Sequence, residues 1–136
     1  MYQTHGTMEI NTTKEKMWAI WTDIPNWNQW ISSVEYSSLD GNFENGTKGS
    51  MKLANGSKST FTIAECVENE SFICRSKFLF CTMDAGHEMK EENGKIKVKL
   101  YAKVSGPLAF ILKYAVKKEA KGLPIALEKL EELSKK

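Results

Sequence analysis

Arginine is nearly absent from this chain. Of 19 basic residues among 136, Arg75 alone is an arginine, and 17 acidic residues leave a net charge of +2. A domain that reads bases or phosphates through forked contacts carries more Arg than this. The near balance of charge also leaves no basic footprint, so no nucleic-acid partner is expected. Histidine is scarce too: His5 and His87 give a His-based metal site few ligands. The three cysteines, Cys66, Cys74 and Cys81, are odd in number and form no CxxC pair. A disulfide framework and a zinc cluster are both disfavoured, and neither a metal nor a cofactor is expected. No apolar run approaches the ~20 residues that span a bilayer. The longest, Pro107 to Leu112, reads as a helix start. Residues Met1 to Thr7 are polar and lack a signal-peptide core. No GxSxG elbow and no phosphate-binding loop occurs. What these absences leave is a reduced, cytoplasmic protein without integral membrane association, in one domain spanning residues 1–136.

What is present is enough apolar material to fold. Six Phe and four Trp argue against disorder as the general state. Thr4 to Ile10 reads as a first strand. Thr12-Thr13-Lys14-Glu15 fits a capping box in which the Thr12 hydroxyl accepts from the Glu15 amide. A helix follows, with Met17, Trp18, Ile20 and Trp21 as its apolar contacts. Pro25 ends it near Ile24, and Asp23 to Trp30 turns into a second short helix.

From Val34 the period changes to two. Val34, Tyr36 and Leu39 form a strand, then Gly49 to Leu53, Lys58 to Val67, Ser71 to Phe80, Cys81 to Glu91 and Lys95 to Val104. Asp40-Gly41, Asn45-Gly46, Asn55-Gly56 and Asn93-Gly94 punctuate them as turns. Lys95 to Val104 alternates most cleanly, as a strand with one buried and one wet face does. Gly106-Pro107 then opens a helix reaching Ser134, about 40 Å long at the standard rise, with Gly122 and Pro124 placed to kink it. The class is α+β: a curved antiparallel sheet of about six or seven strands, two short helices after the first strand, and one long C-terminal helix. The long helix is the only element long enough to cover the sheet, and the space between the two is where a small molecule would sit.

Three segments carry a family resemblance. Ile10 to Trp18 looks like a characteristic strand-to-helix entry, and Asp23 through Trp30 has the matching Asp, aromatic and Trp spacing. Ser105-Gly106-Pro107-Leu108-Ala109, with Gly122-Leu123-Pro124 and Leu127, Leu130 and Leu133, is similar to a characteristic last strand and closing helix. In this order they resemble the START-like (SRPBCC) helix-grip superfamily, in its polyketide cyclase/dehydrase-like branch. The resemblance covers nearly the whole chain. It implies the helix-grip fold and a cavity for a hydrophobic ligand, on a scaffold that also hosts lipid carriers, cyclases, hormone receptors and co-chaperone domains.

Strand alternation gives a candidate cavity wall. Phe61, Ile63, Phe72, Cys74, Phe78, Met83 and Leu100 share the inward face, and from the helix Leu112, Val116 and Ala120 look onto it at four-residue spacing. The alternative is that these residues pack a solid core. His87 alternates with Met83 and Met89 and points inward, as a hydrogen-bonding or proton-shuttling imidazole, or as one satisfied by a neighbouring group. Gly86 beside it is a candidate bulge that would reverse the face. Trp18 and Trp21 read as helix packing, while Trp30 either edges the cavity mouth or packs. Arg75 faces outward, toward solvent or an anion, and Lys113 either snorkels or reaches the cavity. The row Lys97, Lys99 and Lys103 is a solvated sheet face or an attractor of anionic membrane. A thiol–imidazole pair of Cys74 or Cys81 with His87 finds no support in the local sequence.

The reading that follows is a binder of a small hydrophobic molecule, a lipid or an aromatic, polyketide-like metabolite. One alternative is a cyclase- or dehydratase-like enzyme using the same cavity, with His87 as the one weak candidate for a catalytic group. Another is an interaction module that works through its outer surface.

Overall fold

The computed structural model describes residues 2–78, 80–107, 109 and 113–136, the last segment without the side chains of 113–115 and 119. Strand β1 (Tyr2–Ile10) leads into helix α1 (Lys14–Thr22) and a 3-10 turn (Ile24–Gln29). Strands β2 (Val34–Leu39), β3 (Lys48–Leu53), β4 (Lys58–Val67), β5 (Ser71–Phe78), β6 (Cys81–Glu92) and β7 (Lys95–Ser105) precede helix α2 (Lys113–Ser134). All seven strands form one antiparallel, curved sheet in the order β1-β7-β6-β5-β4-β3-β2. Five hairpins build it from β2 to β7, and β1 returns to pair with β7 along its whole length, Tyr2 opposite Val104 through Ile10 opposite Ile96.

Local chemistry sets the boundaries. Thr13, not Thr12, caps α1: its hydroxyl accepts from the Lys16 amide at 3.1 Å. The two threonines share the same chemistry, and the extended backbone of Thr13 decides which one occupies the cap. Asn93 and Gly94 both take positive φ, 52° and 78°, as a tight primed hairpin requires. Most of the expected first turns of the long helix, Leu108 and residues 110–112, fall outside the described residues. Gly106 takes φ 112°, and the Ala109 amide bonds the Gly106 carbonyl at 3.1 Å. From Lys113, α2 continues through Gly122 and Pro124 to Ser134.

Two irregularities reset the faces of strands. A register shift between Val34 and Tyr36 leaves Val34 and Ser37 buried and Tyr36 half exposed, although alternation puts Val34 and Tyr36 together. A second shift lies between Ala64 and Val67, where Glu65 takes φ 46°. Gly86, by contrast, is no bulge, because the register of β6 runs unbroken against both β5 and β7. The glycine serves a different purpose. It stands opposite Tyr101, whose ring folds across it so closely that an added Cβ would meet that ring.

The concave face is covered by two bodies, not by the long helix alone. Helix α2 lies over β1 and β7, with Leu123, Leu127 and Leu130 in the main core. Gly6 on β1 allows the approach: a Cβ there would stand 3.3 Å from Leu127 Cδ1. The 3-10 turn packs on β2, and α1 reaches β6. Between them, Trp21, Trp27 and Trp30 sink into the core almost completely. Trp27 stacks on Phe61 at 5.4 Å and lies nearly parallel to Phe72, while its Nε1 donates to the Trp21 carbonyl at 2.8 Å. Burial of such rings supplies the largest apolar areas of a core this size.

Candidate functional site

Much of the expected cavity wall is solid core. Phe61, Ile63, Phe72 and Cys74 are buried in one packed cluster with the three tryptophans. Phe72 touches Trp18, Trp21 and Phe43 edge-on. Met83 and Val116 belong to a separate small cluster with Val104 and Ala109. Ala120 is half-buried and does not line the cleft described below. Phe78 shares the inward parity of Phe72 and Cys74, yet it is 46% exposed at the end of β5. Leu112 lies outside the described residues, as does the side chain of Lys113.

Val116, Leu123, Leu127 and Leu130, spaced seven, four and three apart, hold the buried stripe of α2, and Ala120 lies at its edge.

A cleft of about 330 Å³ remains beside this core, within the size range of small-molecule sites. Its floor is Ala85–His87 of β6 and Leu100–Tyr101 of β7. One wall is the chain after the 3-10 turn, Trp30 to Ser33. The other is α2, from Lys118 to Ala126. Of the twelve wall residues proposed from sequence, Trp30, His87 and Leu100 line it. Ile31 to Ser33 and the helical residues Lys118, Lys121, Gly122, Ile125 and Ala126 were not anticipated. The spacing 118, 121, 122, 125 is itself a helical face, flanking the leucine stripe. Its two lysines and a glycine hide it from any search for apolar periodicity.

His87 is the chemical centre. Its imidazole stacks on Phe72 at 4.1 Å, nearly parallel, and the rings of Trp21 and Trp30 meet it edge-on, each at 5.7 Å. Burial drives its pKa from 6.5 down to about 3, so the ring is neutral at physiological pH. Trp30 Nε1 and Trp21 Nε1 are buried without a hydrogen-bond partner among the described residues. Leaving such atoms unpaired costs roughly 1–3 kcal/mol each, and Trp30 belongs to the cleft wall.

The other candidates are accounted for by structure. Burial, and next the nearby Asp84 carboxylate, push the Cys74 thiol well above its usual range, which makes it unreactive. Arg75 lies on the convex face and is held by Asp84 through two hydrogen bonds of 2.8 and 3.1 Å, with Glu65 at 3.5 Å. Its charge is therefore matched within the chain. Lys99 and Lys103 stand in register opposite Glu88 and Asp84 of β6, while Lys97 lies between Glu9 of β1 and Lys90 of β6. Among the described residues, no three His, Cys, Asp or Glu side chains gather as a metal site needs. No described helix is long and apolar enough to cross a membrane.

No family model and no curated protein matches the chain. Solved structures do. Protein MLL2253 of Mesorhizobium loti is similar over 97% of this chain and 96% of its own, with a TM-score of 0.77 at 14% identity. TTHA0849 of Thermus thermophilus is similar over 98% and 97%, with a TM-score of 0.72 at 16% identity. The di-domain ARO/CYC protein StfQ of the steffimycin biosynthetic pathway is similar over 98% of this chain and 50% of its own, with a TM-score of 0.77 at 7% identity. These likenesses are of fold. The fold is the helix-grip arrangement, as the sequence resemblance implies.

Proposed function

We propose that this helix-grip protein binds a small hydrophobic molecule, reversibly and without covalent chemistry, in the cleft between β6, β7 and α2. One observation carries the reading. The cleft is lined largely by apolar groups, and one of its buried side chains, Trp30, holds a polar nitrogen that nothing in the described chain satisfies. A ligand with an apolar body and a few polar atoms complements such a wall.

The similarity of fold to an ARO/CYC protein raises a second reading, a cyclase- or dehydratase-like enzyme in the same cleft. Binding is favoured over it. An imidazole with a pKa of about 3 is a weak general base at neutral pH. Among the other ionisable residues of the wall, Lys118 and Lys121 are exposed, and Tyr101 turns its ring across Gly86 on the opposite face of the sheet.

A melting-temperature screen against hydrophobic compounds tests the proposal, because a ligand at 100 times its Kd stabilises the native state by about 2.7 kcal/mol. Gly122 supplies the control. It lines the cleft, and a Cβ there meets nothing within 4 Å. Gly122→Leu should fill the space, cancel the ligand-induced shift, and hold or raise the ligand-free midpoint, since Leu favours helix over Gly by roughly 0.5–1 kcal/mol. A screen in which nothing shifts the wild type, or in which Gly122→Leu responds unchanged, overturns the reading.

A further inference from the structure

The charge on the cleft wall is one-sided. Lys118 and Lys121 line it, and among the described residues no Asp or Glu does. Both lysines are exposed, and neither makes an ion pair among the described residues. Several other lysines do have a carboxylate neighbour: Lys52 pairs with Glu35 at 3.7 Å, and Lys97, Lys99 and Lys103 have Glu9, Glu88 and Asp84 across the sheet, although Lys97 also faces Lys90 and Lys52 faces Lys58.

Lys118 and Lys121 have no such neighbour at helical spacing. The positions three and four residues from Lys118 are Tyr114, Ala115, Lys121 and Gly122. Those from Lys121 are Lys117, Lys118, Pro124 and Ile125. No acid occurs among them, and the like-charge spacings 117–121 and 118–121 disfavour the helix. Behind the lysines the cleft turns apolar, through Ala126 and Ile125 on the helix to Leu100 and Ala85 on the sheet.

We propose that the ligand is an anionic amphiphile, whose apolar body lies against Ala85, Leu100 and Ala126 and whose carboxylate or phosphate group rests at the mouth against Lys118 and Lys121. This rests on the reading of the cleft as a hydrophobic-ligand site and adds the headgroup that the site selects. A headgroup carrying anionic oxygens relieves the repulsion between the lysines and meets no carboxylate among the described wall residues. Because both ammonium groups are exposed, the contribution is moderate and weakens with salt.

Isothermal titration of the full chain at low salt tests it, with decanoate, decyl phosphate, decanol and decyltrimethylammonium as probes. The two anions should bind about tenfold more tightly than decanol, and the cation more weakly than decanol. Comparing decanoate with decyl phosphate shows which anionic group the mouth prefers. The double variant Lys118→Gln, Lys121→Gln should bring both anions to the affinity that decanol has for the same variant. If decanol binds as tightly as the anions, or the double variant keeps the preference, the headgroup assignment is wrong while the cleft remains a hydrophobic site. If no probe binds, decanol included, the cleft reading falls and the headgroup assignment falls with it.

Discussion

His87 is the residue on which sequence and structure meet most closely. Strand alternation alone placed it inward, and the imidazole lies in the aromatic cluster at the cleft floor. What alternation could not convey is its surroundings. Trp21, Trp30 and Phe72 come from three separate elements, and only the packed chain brings their rings around one imidazole. That burial has a consequence for stability. Above pH 6.5 the imidazole is neutral both folded and unfolded. Below it the unfolded chain takes up a proton that the native state refuses until about pH 3. Stability contributed by the neutral ring is therefore present above 6.5 and is lost on acidification, at up to about 1.4 kcal/mol per pH unit. His87→Phe keeps an aromatic ring on Phe72 and removes the titration. Urea midpoints at pH 7, 6 and 5 should fall more steeply for the wild type than for His87→Phe. Equal slopes would show that the imidazole is solvated in the native protein.

At the scale of elements, most boundaries were legible because the turn and cap residues are explicit. The strand over Lys58–Val67 falls where its pattern placed it, and the hairpin at Asn93-Gly94 has the backbone its residues favour. Two features were not legible. Thr12 and Thr13 both satisfy a capping signature, and the choice depends on the backbone at the end of β1. Since only Thr13 bonds a helical amide, Thr13→Ala should cost about 1 kcal/mol and Thr12→Ala close to nothing, as read from thermal midpoints. A larger loss from Thr12→Ala would contradict the assigned cap. The second feature is Gly86, which local sequence offers as a bulge. Its partner across the sheet, Tyr101, lies fifteen residues away in the chain, and the pairing register alone reveals that the glycine makes room for that ring.

For the whole molecule, the fold was readable from element order and the site was not. Seven strands with one apolar face and a long closing helix leave few arrangements. The division of labour over the sheet escaped the sequence because it depends on volume. Four tryptophans on the segment between β1 and β2 fill the part of the concave face assigned in advance to a cavity. The open space is thereby pushed to the margin, between α2, Trp30 to Ser33 and the middle of β6 and β7. Its helical wall mixes lysine, glycine and isoleucine, a pattern that reads as solvent-facing until the helix is docked. The central claim is that a ligand enters this cleft and meets Trp30, and the four indole N–H groups report on it separately. Trp27 Nε1 is engaged with the Trp21 carbonyl, whereas Trp30 Nε1 is unpartnered among the described residues and its residue lines the cleft. The most direct measurement is a ¹H–¹⁵N correlation titration with decanoate, with each indole assigned by Trp→Phe substitution. The Trp30 resonance should move saturably while that of Trp27 stays in place. A Trp30 signal that does not move while others do, or four signals that all stay fixed, would contradict binding in this cleft.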